Sequence, residues 1–255
     1  MKKVTKLTRI EFATSYRFPM LEGLVALFFF LLFWNTLGGW STRVFGIGQF
    51  DRINYVLGSL VPSRLFFGAS PFASLMAILV PILVALSIAK PFEDGYIRTL
   101  ATYPLRRSSI LITKILLIIV VPATTISTAL LCAIALVYPG FPAASDISIV
   151  LISIWLMISL QTAVCTIIAV FSKRLSITAL FGVGFWFVVI VILGQPDTSP
   201  LLVSTLNPIR AATEFVWALP TAPVFGDIVG GAIIAFVLSV LLTITSIIVF
   251  SRMEI

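Results

Sequence analysis

The chain has 255 residues, 60% of them apolar and only 11% charged, with a formal charge of +7 and no histidine. Soluble domains average roughly 45–50% apolar and about 25% charged residues, so these side chains do not suffice to cover a water-facing surface, and the 21 phenylalanines exclude a disordered chain. The absent histidine removes Ser-His-Asp hydrolysis, histidine-ligated zinc or haem and histidine proton relays, and a polytopic membrane protein remains.

A helix crossing the ~30 Å hydrocarbon layer needs about 20 mostly apolar residues. Six runs, uncharged but for Lys114 near the start of the third, approach that length or exceed it. Open strand edges leave backbone groups unsatisfied in lipid, and none of the runs alternates, so each is expected to be a helix. The fold class is therefore all-α, one transmembrane domain over 1–255 with six spans.

In chain order, the first element is the basic stretch KKVTKLTRIEFATSYRF, residues 2–18. Val4, Leu7, Ile10 or Glu11, Thr14 and Phe18 recur at helical spacing with bases between them. Residues 1–20 thus read either as an amphipathic helix lying in the interface or as a basic tail that fixes orientation. Span one follows from Leu24 to Trp40, and with no A-x-A-like site after it the run is expected to be a retained span, not a signal peptide.

Span two runs from Phe72 to Ala89, where Pro91 is expected to stop it. The loop 90–108 is punctuated: Glu93 and Asp94 stand where acids complement a helix N-terminus, and Tyr96, Ile97, Leu100 and Tyr103 recur at three- and four-residue spacing before Pro104. A short amphipathic helix over 93–103 is expected, with Arg106 and Arg107 anchoring the interface and Ser108 as N-cap of the next span.

Span three covers Ser109 to Val137, with Lys114 near its start as a snorkelling lysine and Thr124, Thr125, Ser127 and Thr128 just after Pro122. Span four covers Ile147 to Phe171 and carries Ser153, Ser159, Gln161, Thr162 and Thr166. These neutral polar residues read as helix-packing groups, or as the lining of a translocation path by Thr124, Thr125, Thr128, Ser159 and Gln161. Span five runs from Ser176 to Gly194, then an outer loop over 195–227, then span six from Ile228 to Phe250, with a Gly-x-x-x-Gly pair at Gly226 and Gly230 marking its entry for close packing.

Alternating sides place Lys2, Lys3, Lys6, Arg9, Arg17, Lys90, Arg98, Arg106, Arg107, Lys114, Lys173, Arg174 and Arg252 together, against Arg43, Arg52, Arg64 and Arg210. The positive-inside rule then puts both termini in the cytoplasm of a cell-membrane protein, and the basic excess requires no nucleic acid. No ionisable group falls inside a span except at the boundaries, which weakens ion-driven carriers and aspartyl intramembrane proteases. There is no phosphate-binding Gly-x-x-x-x-Gly-Lys-Ser/Thr loop, and no Cys-x-x-Cys metal or redox motif.

Glu93, Gly95, Ile97, Leu100, Pro104, Leu105, Arg107 and Lys114 stand in register with the first coupling helix of a known family. The chain resembles the six-span permease subunits of ABC transporters with the type V exporter fold, among them the permeases associated with nitrous-oxide-reductase maturation. Departures are Tyr96 where Thr or Ser is usual, Ala101 for Leu and Arg106 for Ser. The segment LNPIRAATEFV, Leu206 to Val216, is similar to the Asn-Pro segment that these permeases carry as short outer helices between spans five and six. The resemblance implies ATPase coupling through Glu93, Asp94, Gly95, Ile97, Leu100, Pro104 and Arg107, and a separate ABC-type ATPase subunit that holds the ATP and magnesium. It also implies a second permease copy or homologue, and no catalytic, metal or cofactor site in this chain. Two rival classes are a membrane-embedded enzyme, for which Glu93 and Asp94 are the one cytoplasmic acid pair, and a non-transporting anchor or sensor subunit.

Cys132 and Cys165 both read as small buried hydrophobes, each about six residues from opposite ends of its span and so ~9 Å deep at about 1.5 Å per residue. That leaves them more than about 10 Å apart in depth, beyond the reach of a disulfide. A non-reducing peptide mass map is expected to return both as free thiols, and an intact bridge between them overturns the depth assignment.

Overall fold

The computed structural model describes residues 8, 11–12, 23, 25–27, 29–30, 70–97, 107–137, 143–193, 195, 198–216 and 222–253. Among these residues every regular element is a helix. The predicted first span, Leu24 to Trp40, lies largely outside them, although Val25, Ala26, Leu27, Phe29 and Phe30 are helical. Of the N-terminal segment, Thr8, Glu11 and Phe12 are helical and the rest lies outside the described residues.

Helix α1 (Ser70–Val84) passes without a break through a π-helical turn (Ala85–Ala89) into a last α-helical turn (Lys90–Glu93). Pro91 does not stop it, contrary to the sequence expectation. It follows the π-helical turn directly, and the helix continues through it with one donor fewer. The stop comes at Gly95, whose φ of 71° is left-handed backbone open to glycine at no steric cost.

Helix α2 (Arg107–Val137) is 31 residues long and runs through Pro122. It begins one residue before Ser108, which therefore lies in its first turn and is not its N-cap. Helix α3 (Ala144–Ser172) and α4 (Leu175–Leu193) form a hairpin joined by Lys173 and Arg174 alone. Lys173 has a φ of 53°, a left-handed conformation that costs a residue with a side chain roughly 1–2 kcal/mol and lets so short a link reverse the chain. Two short helices, α5 (Pro200–Leu206) and α6 (Pro208–Val216), precede the last long one, α7 (Phe225–Arg252). Among the described residues five helices are long and apolar enough to cross a membrane, namely α1 with its continuation, α2, α3, α4 and α7. The chain is a helical multi-pass membrane protein.

Helix α3 is the hub, packing on α1, α2, α4, α6 and α7. Ile154, Met157, Ile158 and Ala169 on α3 join Met76, Val80 and Ile88 of α1 and Trp186 of α4 in one buried core. In contrast, α4 and α7 present Phe181, Phe187, Ile233, Phe236 and Leu241 outward, which suits a hydrocarbon solvent. Glu93 and Phe92 of α1 touch the start of α4 and the end of α7, so these helix ends lie together. That end carries Lys90, Lys173, Arg174 and Arg252, whereas Asp146, Glu214 and Asp227 lie at the ends of the long helices and on α6 opposite it, with Arg210 the one base there among the described residues. We call the two ends basic and acidic.

Two glycines set interhelical distances. A β-carbon on Gly182 would lie 2.8 Å from Pro81 Cβ and 3.2 Å from Cys165 Sγ, so α4, α1 and α3 meet only because that side chain is missing. A β-carbon on Gly231 would strike Ser204 Cβ, with the Ser204 carbonyl carbon at 2.6 Å and the Thr205 nitrogen at 2.9 Å, so α5 lies directly on α7 there. The Gly226 and Gly230 pair does not make this contact: Gly226 faces open space and Gly230 meets only a Leu201 methyl at 3.2 Å. Gly231→Ala is expected to destabilise by about 1–3 kcal/mol, the usual cost of overpacking, and Gly226→Ala to change little. Thermal melts in detergent decide this, and equal melting of the two variants sinks the assignment.

Candidate functional site

At the basic end the side chain of Glu93 does something the sequence does not announce. Being the last residue of α1, it cannot complement the N-terminus of a helix starting at its own position, as expected. Its Oε2 instead accepts the backbone N–H of Leu175 at 3.0 Å, across 82 residues of chain. The first amides of a helix have no partner within it, and an anion there also favours the positive end of the helix dipole. Glu93 thereby caps α4 and ties the loop after α1 to the α3–α4 corner.

The same corner is reinforced locally. Thr178 Oγ1 donates to the Arg174 carbonyl and lies 2.9 Å from Ser172 Oγ, while the Lys173 N–H closes on Ala169 O at 2.9 Å. One residue before Glu93, the ring of Phe92 meets Phe250 of α7 edge to face, with centroids 5.6 Å apart. Residues 92 and 93 therefore touch both the start of α4 and the end of α7.

Of the other residues expected to couple to a partner, Asp94 is exposed, Gly95 forms the left-handed stop, and Ile97 is buried in the core. Arg107 is the first residue of α2. Leu100 and Pro104 lie outside the described residues, as does most of the expected 93–103 helix; Tyr96 and Ile97 are helical.

Lys114 is not the snorkelling boundary residue that its position suggests. Its Nζ lies 2.6 Å from Glu11 Oε2, and the two side chains are only 4% and 2% exposed. Lys114 stands seven residues into α2, ~10 Å along its axis at about 1.5 Å per residue, too deep to leave a charge unpaired. Glu11 stands beside Ile10 at one position of the apolar stripe of the N-terminal segment. That position, with the depth of Lys114, was the available signal for the pair.

The residues expected to line a path do not share one surface. Thr124 and Thr128 are exposed on one face of α2, Thr125 and Ser159 are half-buried, and Gln161 is fully buried in α3. The three threonines bond back along α2, with Thr124 Oγ1 donating to Val120 O at 2.6 Å, Thr125 to Val121 O at 2.8 Å and Thr128 to Thr124 O at 2.9 Å. Around Gln161 the middle of α3 is polar but sealed, since Gln161, Thr162 and Thr166 are wholly buried with no hydrogen-bond partner for their side-chain atoms. Cys165 is buried in the same stretch, whereas Cys132 is exposed, against the expectation that both are buried; both are free.

At the acidic end Arg210 performs the converse of the Glu93 cap. Its Nη1 donates to the Leu193 carbonyl at 2.8 Å, closing the C-terminus of α4, and its Nε pairs with Glu214 at 2.7 Å. Asn207, between α5 and α6, accepts the Arg210 N–H through Oδ1 at 3.2 Å and so starts α6, with Pro208 as its first residue. The Asn-Pro pair is therefore a helix-restarting device. Among the described residues no three Cys, Asp or Glu side chains gather as a metal site requires. No protein-family model matches the chain, and no curated protein matches it.

Removing one member of a buried ion pair strands the other, at a cost of about 3–5 kcal/mol, whereas replacing both by apolar residues is often neutral. Glu11→Gln is expected to lower the detergent melting temperature sharply, and the double variant Glu11→Leu with Lys114→Met to recover most of it. Equal losses in single and double variants show that the charges do not act as a pair.

Proposed function

We propose that the chain is the permease subunit of an ATP-driven ABC transporter in the cell membrane, half of an exporter completed by a second copy or a homologue. Both termini and the basic end face the cytoplasm, where the net positive charge of that end belongs. The short helices α5 and α6 then lie at the outer face. ATP and magnesium are held by a separate ATPase subunit, which docks against the segment 93–103; this chain hydrolyses nothing itself.

The observation that carries the reading is the anchorage of Phe92 and Glu93 at the entry to the segment that resembles a coupling helix. A partner pushing on residues beyond Gly95 moves Phe92 and Glu93 directly. Through them it acts on the end of α7 and the start of α4, two of the least buried spans. A mechanical link between a soluble motor and two lipid-facing helices is what rocking of two halves requires. The spans lack ionisable groups along their middles, so a driving force from a partner is the economical one, and an uncharged wall suits a lipidic, hydrophobic or peptide cargo.

Co-purification tests this. A tagged chain is expected to bring down an ATP-binding cassette subunit, with Glu93→Gln and Gly95→Ala lowering substrate-stimulated ATP hydrolysis of the reconstituted complex several-fold. If no such subunit ever accompanies the chain, and changes at Glu93, Gly95 and Pro104 alter nothing, the reading fails. An ATPase that binds but is never stimulated marks an anchor or sensor subunit instead.

A further inference from the structure

The halves of α3 and α7 nearest the acidic end leave between them an open groove of about 460 Å³. Its walls are Ile149, Ile152 and Leu156 on α3 and Val229, Ile233 and Phe236 on α7, with the small side chain of Ala232 among them. The one polar residue in the lining, Ser153, spends its proton on its own helix, donating to Ile149 O at 2.8 Å. No donor is left to recognise a polar ligand, so hydrocarbon is what the walls fit.

Length and direction narrow the occupant. From Phe225 to Phe236 the groove follows α7 for eleven residues, ~16 Å at about 1.5 Å each, which is half of the ~30 Å hydrocarbon layer and so the depth of one leaflet. It runs along two spanning helices, the direction in which acyl chains lie. Its volume falls in the ~300–1,000 Å³ range of ligand pockets.

The mouth has a charge preference. Asp146 lies three residues before Ile149 and seven before Ser153, on the same face of α3 and one turn beyond the groove, where Ser145 Oγ donates to its Oδ1 at 3.3 Å. Among the described residues of this end, the single base, Arg210, is engaged by Glu214 and by the Leu193 carbonyl. A carboxylate one turn above an apolar trough favours a cationic group above a hydrocarbon chain and disfavours an anionic one. We propose that this groove is a lipid site, holding one acyl chain of a phospholipid whose headgroup carries an ammonium, with Asp146 at the headgroup. The site requires only the membrane helices, and it stands or falls separately from the transporter reading.

Photo-crosslinking of the full chain tests it. The probes are phosphatidylethanolamine and phosphatidylglycerol bearing the same diazirine-labelled acyl chain, each added in turn to nanodiscs made from equal parts of the two unlabelled lipids. Labelling is expected to concentrate in residues 149–156 and 225–236, with phosphatidylethanolamine favoured about threefold to fivefold, the worth of a partly exposed ion pair. Asp146→Asn is expected to bring the ratio close to one. Ala232→Trp, which fills the groove, and Ile152→Trp, which blocks its exposed edge, are each expected to abolish labelling there while leaving that of the outward face of α4 intact. The α4 face reports whether each variant still folds. Labelling spread evenly over α4 and α7 reveals ordinary boundary lipid and overturns the site, and equal labelling by phosphatidylglycerol overturns the headgroup assignment.

Discussion

A backbone N–H or C=O surrounded by hydrocarbon has only its own protein to bond to, and each one left alone costs several kcal/mol. Helices satisfy that demand along their length but not at their ends, nor where proline removes a donor. Several polar side chains of this protein sit at or beside such points, while others, Ser153, Ser239 and Ser246 among them, bond back within a helix. Thr124 and Thr125 donate to carbonyls of the turn beside Pro122, Ser199 Oγ accepts the Leu202 N–H at the start of α5, and Asn207 restarts the chain as α6. The residues most easily mistaken for a polar lining are, in the case of the α2 threonines, occupied with backbone.

Two of these caps reach across the fold, and both act on α4. Glu93 closes its first turn from α1, and Arg210 closes its last from α6. Between them α4 turns much of its surface to lipid, touching α1 and α3 closely where Gly182 permits. Its position is thus fixed by charged contacts at both membrane surfaces and one tight apolar contact between. The buried Glu11 and Lys114 pair ties the N-terminal segment to α2 through a contact that solvent does not screen.

Apolar run length located the five spans that the described residues contain, because such a run is a property of neighbouring residues. Helix α4 begins at Leu175 and ends at Leu193, within a residue of the expected Ser176 and Gly194. What escaped it depends on which helices adjoin. Glu93 looked like the start of a helix because it precedes one, yet its partner is 82 residues away; Lys114 looked like a boundary residue because Glu11 is 103 residues away. Gly226 and Gly230 had the familiar spacing, but Gly231 faces α5, and no one-dimensional pattern encodes that facing. The contacts of Phe92 and Glu93 with α7 and α4 were not legible at all.

The two clamps on α4 also differ in when they become available. Ribosomes deliver the chain from its N-terminus, and domains assemble in that order. Glu93 has already been made when α4 emerges, so the basic end of the α3–α4 hairpin can close as soon as the hairpin is inserted. Arg210 follows the end of α4 by 17 residues, and the opposite end waits for α6. A nascent chain stalled between them carries a fourth helix moored at one surface only, which makes synthesis of α6 the step that closes the second clamp on α4.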